Sequence, residues 1–156
     1  MNTPIGTHKN KAAKEARYYI GIDYHKRYSV YCVIDERGGI VERGRIEHQR
    51  PEVFGSMVKR WPGCRIVFES SMNWQWLYEV LEVEMAEEDI ILANPYKTRI
   101  IAEAQVKTDK VDAYILAQLL RGNLVSSVHI PSKATRQRKA VLRQRSFFGF
   151  IRKGCV

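Results

Sequence analysis

Cysteine is scarce in this 156-residue chain: Cys32, Cys64 and Cys155 stand far apart, and no C-x-x-C spacing occurs. An odd, scattered set of three argues against a disulfide framework and against a cysteine zinc site, and fits a reducing cytoplasm. Long apolar runs are missing too, with no window near the ~18 residues a membrane span requires. Residues 1–17 carry Lys9, Lys11, Lys14 and Arg17 and lead into no apolar stretch with a small-residue cleavage site, so they do not read as a signal peptide. There is no internal repeat and no low-complexity tract. Acidic residues are the minority charge, 17 against 26 Lys and Arg, for a net charge of +9. Such an excess points to a polyanionic partner, and phosphates are the commonest polyanion. An apolar fraction of 45% is enough for one folded core and argues against general disorder.

What is present reads as alternating short elements. Residues 1–16 have the composition of a disordered basic leader. Residues 17–23 form a strand rich in aromatic and β-branched residues that ends in Asp23, and residues 28–35 form a second. Glu36-Arg37-Gly38-Gly39 is a turn, and 40–47 give a charged, imperfectly alternating third strand of the kind found at a sheet edge. Pro51 opens a helix carrying Val53, Phe54, Met57, Val58 and Trp61, which Pro62-Gly63 stops. Residues 65–69 are a buried strand ending in Glu69. A helix from Asn73 places Trp74, Leu77, Tyr78 and Leu81 on one face, and residues 90–93 form a fifth strand closed by Asn94-Pro95. The segment 95–105 is expected to be helical. A further helix is expected from Thr108, with Thr108 as its cap, Asp109 in its first turn and Gly122-Asn123 at its end. The order β-β-β-α-β-α-β-α predicts an α/β fold: a mixed five-stranded sheet flanked by helices, the order RNase H-like domains use. The domain is expected over 17–130, followed by a basic helical tail over 131–156 with few apolar anchors.

Two strands end in a lone carboxylate after an apolar run, Asp23 and Glu69. Burying such a group is costly unless it is paired or binds a cation. A strand-end Asp is by itself more often a turn or cap residue. Asp109 and Asp112 would share a helix face if both lay on one helix, and equally could be first-turn acids stabilising its dipole. With the first and fourth strands adjacent, Asp23 and Glu69 would lie side by side and the helix could add the other two. Mg²⁺ or Mn²⁺ takes hard oxygen ligands of this kind. Two such ions about 3.5–4 Å apart serve phosphodiester chemistry.

The blocks Gly21-Ile22-Asp23-Tyr24-His25-Lys26, Phe68-Glu69-Ser70-Ser71, Asn94-Pro95 and Lys107-Thr108-Asp109-Lys110-Val111-Asp112-Ala113 resemble the N-terminal domain of DEDD-type transposases of the insertion-sequence 110 family. The resemblance runs from about residue 18 to 145, and Lys-Thr-Asp-x-x-Asp-Ala after an Asn-Pro is its most specific part. It implies a RuvC-like fold and a catalytic, metal-binding tetrad of Asp23, Glu69, Asp109 and Asp112. It also implies Mg²⁺ (or Mn²⁺) as cofactor, DNA as substrate, a structured guide RNA, a homo-oligomeric full-length assembly and a nucleoid-associated, prokaryotic setting. Ser70-Ser71-Met72-Asn73 departs from the small-residue-and-glycine sequence usual after the glutamate. Residues 146–156 do not resemble the family's continuing basic helix. The chain therefore reads as truncated before a C-terminal domain that supplies a serine, and as incomplete alone for DNA transposition and recombination.

Nucleic-acid contacts are expected at Lys26, Lys107, Lys110, Arg136, Arg138, Lys139, Arg143 and Arg145. Trp74 and Tyr78 read as core, while Trp76 falls off that helix face and is a candidate for base stacking. His25, next to the first carboxylate, could assist proton transfer but reads more simply as a loop histidine. A stand-alone structure-specific nuclease of the same fold would use the same tetrad. A non-catalytic remnant would bind nucleic acid without turnover, or join and poison an intact enzyme. A sugar kinase or actin-like ATPase shares the first-strand Gly-Ile-Asp but needs further glycine-rich phosphate loops, which the later strands lack.

Overall fold

A computed structural model describes residues 16–71, 73–106 and 111–153, with side chains described up to residue 144 and not at 105 or 106. Five strands are formed, β1 (Tyr18–Tyr24), β2 (Tyr28–Asp35), β3 (Ile40–Glu47), β4 (Cys64–Glu69) and β5 (Ile90–Ala93). They lie in the order β3-β2-β1-β4-β5. The β1–β2 and β2–β3 pairs are antiparallel, while β1–β4 and β4–β5 are parallel. The charged β3 is an edge strand, as its composition predicts. Helices α1 (Glu52–Arg60), α2 (Trp74–Leu81), α3 (Pro95–Val106), α4 (Ala113–Arg121) and α5 (Lys133–Lys153) complete the chain. This is the α/β, RNase H-like arrangement that the element order predicts.

Strand alternation sorts the side chains to two faces. On one, Ile20, Ile22, Ile66 and Phe68 pack with Phe54 and Met57 of α1 and Leu77, Tyr78 and Leu81 of α2. Each of these is buried to within 1% of full exclusion, and burying one large apolar side chain contributes about 1.5–3 kcal/mol. On the other face, α4 lays Ala113, Leu116, Ala117 and Leu120 against Cys32, Ile34 and Val67. Gly21 sets how close α4 comes. A Cβ built there would stand 2.0 Å from the Ala113 carbonyl oxygen and 2.6 Å from the Ala117 nitrogen. Only a residue with no side chain lets the helix backbone touch β1.

The far end of α4 is tied to the β2–β3 turn. Gln118 Nε2 donates to the Gly38 carbonyl at 3.0 Å, and Arg121 donates to that of Glu36 at 3.4 Å. Gly38 takes a φ of 85°, a conformation glycine adopts without steric cost. Asp35 fixes the same turn by accepting from the backbone nitrogens of Arg37 and Gly39.

Two sequence expectations are corrected. The helix expected from Thr108 begins instead at Ala113, with Asp112 as its cap. Thr108 and Asp109 lie outside the described residues. Asp112 is extended, with φ −106° and ψ 178°. It therefore belongs to no helix face that Asp109 could share. Both Thr108 and Asp112 have capping side chains, and the contact with Gly21 selects where α4 lies. Trp76 is the second correction. Its ring lies against His48 at 4.9 Å, Phe54 at 6.1 Å and Tyr24 at 6.3 Å, half-buried in an aromatic cluster built from four elements. That cluster packs a ring that its place off the helix's apolar stripe did not lead one to expect in the core.

Candidate active site

The strand register alone brings two carboxylates together. In the parallel β1–β4 pair Ile22 stands opposite Phe68, so the next residues, Asp23 and Glu69, end neighbouring strands side by side. Both follow inward-facing residues of the α1–α2 face, so alternation turns both toward the α4 face. Their proximity is felt electrostatically. Burial pushes the Glu69 carboxyl above the ordinary carboxylate range, and the negative charge of Asp23 pushes it further in the same direction. Two partly buried acids set side by side are the arrangement a cation relieves.

Asp112 reaches the same region by a different route. Because Gly21 lets Ala113 touch β1, the start of α4 sits two residues' length from Asp23. The Asp112 Oδ1 accepts from the Ile115 nitrogen at 3.0 Å and caps the helix. Asp23 and Asp112 line one cavity of about 320 Å³ together with His25, Tyr28, Arg43 and Tyr114. The positive end of the α4 dipole therefore faces the acids. Asp23 does not stand alone either: His25 Nε2 is 3.2 Å from its Oδ2. This gives His25, read from sequence as an ordinary loop residue, a definite neighbour in the site.

Among the described residues, no three His, Cys, Asp or Glu groups stand close enough to hold a metal ion. Asp109 lies outside that set, as do Lys107 and Lys110. The donors that are described nonetheless suit Mg²⁺, which usually keeps several waters and takes one or two carboxylates rather than a full protein cage. Asp23 and Glu69 would be those two, and burial together with the Asp23 charge raises the proton affinity of Glu69.

The basic residues separate into groups. Lys26 is exposed in the β1–β2 turn, and Arg138, Lys139 and Arg143 are exposed on α5; the Arg145 side chain is outside the described set. Arg136 has another use. It is 3% exposed, its Nη2 lies 2.7 Å from the Glu82 Oε2, and its guanidinium stacks 4.7 Å from the Tyr78 ring centre. It lines a hollow with Arg65 and Ile90, near the beginnings of β4 and β5. So α5 is rooted at the end of the sheet away from Asp23 and Glu69, and Arg136 is spent on anchoring it rather than offered to phosphates. The Asn94-Pro95 block also has a local role: Asn94 Oδ1 accepts from the Lys97 nitrogen at 3.1 Å, capping α3 with proline in its first position.

Sequence reasoning missed Arg43, Tyr28 and Tyr114 in the cavity wall. Strand pairing brings Arg43 there, through the Cys32–Arg43 register of β2 and β3, while the start of β2 supplies Tyr28 and the first turn of α4 supplies Tyr114. No curated protein matches the chain. The family model DEDD_Tnp_IS110, described as a transposase, matches residues 20–148.

Proposed function

Because the chain belongs to the DEDD transposase family of the IS110 type, with a role in DNA transposition, we propose that Asp23 and Glu69 form the core of a divalent-metal site that acts on DNA phosphodiesters. The observation that carries the reading is that Asp23 and Glu69 lie side by side where β1 and β4 run out, the carboxyl of Glu69 held above its ordinary proton affinity. Asp112, at the capped start of α4, and Asp109 complete the proposed tetrad. Mg²⁺ or Mn²⁺ bound here would activate the attacking oxygen and neutralise charge on the leaving one. The chain's own residues do the rest. Asp23 and Glu69 present hard oxygens on one face, and His25 fixes the orientation of Asp23. The first turn of α4 adds a positive dipole that tempers the repulsion among the acids. Phosphates of DNA are drawn by the exposed cations Lys26, Arg138, Lys139 and Arg143, with Lys107, Lys110 and Arg145 in the same proposed role. A structured guide RNA and a second copy of the chain are proposed as partners in the working assembly.

Calorimetric titration of Mn²⁺ into the full chain, beside an Asp23→Asn, Glu69→Gln double variant, tests the core of this. Saturable uptake by the wild type that the variant loses is the expected result. Equal uptake by both proteins would place the metal elsewhere and remove the acid pair from the mechanism. Metal-dependent nicking of branched DNA by the chain alone would favour a stand-alone nuclease over a transposition domain.

A further inference from the structure

The acid cavity has one wall of opposite character. Arg43 on the edge strand β3 contributes its guanidinium to the same cavity as Asp23 and Asp112. It stands 5.6 Å from the centre of the Tyr114 ring. That ring is itself held: the Tyr114 hydroxyl accepts from Gln118 Nε2 at 2.9 Å, and the same amide donates to Gly38. The buried Cys32 is the cross-strand partner of Arg43; burial pushes its thiol up, and the neighbouring guanidinium works the other way. Among the described residues no carboxylate lies within ion-pairing distance of Arg43. A guanidinium held over a ring, beside two acids yet paired with neither, is pre-set for an anion that comes from outside.

Two residues along the same strand face, Arg45 repeats the arrangement. It lies 3.6 Å from the Tyr28 ring centre. Tyr28 in turn lies against His25 at 4.6 Å, and His25 bonds Asp23. Among the described residues Arg45 pairs with Glu47 alone, at 2.7 Å and with both side chains more than half exposed. An exposed pair of this kind is weak and gives way to a stronger anion. Period-two spacing puts both arginines on the α4 face of the sheet, in line with the acids.

We propose that Arg43 and Arg45 form a phosphate-holding edge that fixes the DNA strand being cut, gripping phosphodiesters next to the one at Asp23 and Glu69. The occupant is DNA, because a strand carrying one phosphate at the acids must place its neighbours along an adjoining wall, and the arginine-bearing β3 edge supplies the matching charge. Arginine suits the task because its planar fork engages two phosphate oxygens at once. This inference rests on the reading of Asp23 and Glu69 as the cleavage site, and it assigns these arginines as positioning residues.

The test measures binding of a short fluorescent DNA duplex by the full chain across a salt series in EDTA, alongside Mn²⁺ calorimetry on the same proteins. The variants are Arg43→Gln, Arg43→Lys, Arg45→Gln and, as a control, Lys59→Gln. Lys59 lies on α1, over the opposite face, paired with Glu84 at 3.2 Å. Removing one phosphate contact lowers the slope of log affinity against log salt by about 1. Arg43→Gln and Arg45→Gln are each expected to show that drop. Arg43→Lys is expected to keep the slope, since the charge remains, while binding several-fold more weakly, since the fork is gone. Saturable Mn²⁺ uptake is expected to persist in all four, and in Lys59→Gln to keep the wild-type affinity. Wild-type slopes in both glutamine variants would overturn the inference while leaving the acid site standing. An equal drop in Lys59→Gln would overturn it too, by showing that any surface charge counts. The same losses measured with an RNA duplex but not with DNA would overturn the assignment to DNA. Failure of the wild type to take up Mn²⁺ would sink the acid-site reading instead, and the slopes would still decide whether β3 grips DNA.

Discussion

The two faces of the sheet are built to different rules. Under α1 and α2 the contacts are large side chains meeting large ones, Phe54, Phe68, Tyr78 and Leu81, in one continuous core. Under α4 the contacts over β1 and β2 are small, Ala113, Ala117 and Gly21, with larger Leu116 and Leu120 over β4 and β5, and the buried residues fall into separate patches. A thick core tolerates nothing polar at its centre. A thin one lets a helix start come down on a strand end and leaves room beside it for carboxylates. One face therefore carries the stability, and the other can accept the strain of like charges that a metal site requires.

Breaking the thick face should be the most costly. Phe54→Ala removes a fully buried ring, and such truncations cost about 3–5 kcal/mol. Urea unfolding should show that loss, with Mn²⁺ uptake by the remaining folded protein unchanged. Breaking the thin face should cost less and damage more. Gly21→Ala forces α4 away, since the obstacle is backbone at 2.0 Å. Overpacking of this sort costs about 1–3 kcal/mol, and the shift carries Asp112 away from Asp23. The expected outcome is a smaller fall in unfolding free energy than for Phe54→Ala, together with weakened Mn²⁺ binding. If the two variants lost metal affinity equally, the division between the faces would be wrong.

The smallest expected effect has the opposite sign. Burial and Asp23 hold the proton affinity of Glu69 above its ordinary value. As pH rises, the unfolded chain gives up this proton first, so the folded state loses stability from near 4.5 up to the raised value, and the full penalty persists at neutral pH. Glu69→Gln removes the penalty. Without metal, the variant should melt above the wild type at pH 7, and the difference should vanish below pH ~4. With Mn²⁺ the order should reverse, because only the wild type gains from the ion. Thermal melts across this range check both halves.

Much of this was legible in residue order. Strand-end carboxylates after apolar runs mark Asp23 and Glu69 because alternation and register are local rules. The edge character of β3 was visible in its charges. What escaped was set by contacts distant in sequence. Arg136 lies in a run of solvated-looking cations, and nothing nearby names Glu82, 54 positions earlier, as its partner. Trp76 sits off its helix's apolar stripe, yet residues of β1, α1 and the segment after β3 come to cover it. The cap of α4 falls four residues later than the sequence suggests, at Asp112 and not Thr108, because two capping residues compete in one stretch and a glycine on another element decides between them. Arg43 faces the site only through pairing with a strand whose own role looked structural.

The tie between α4 and the β2–β3 turn has a practical side. By length and polarity, residues 36–39 look like the natural place to graft a tag or a fluorescent insert. Two of that turn's carbonyls, however, are the moorings for Gln118 and Arg121, and Gln118 also steadies the Tyr114 ring. An insertion there would unmoor the helix whose other end carries Asp112, and a cosmetic alteration on the surface would register as a fault in the acid site. Hairpins that look like spare chain can be part of a domain's frame.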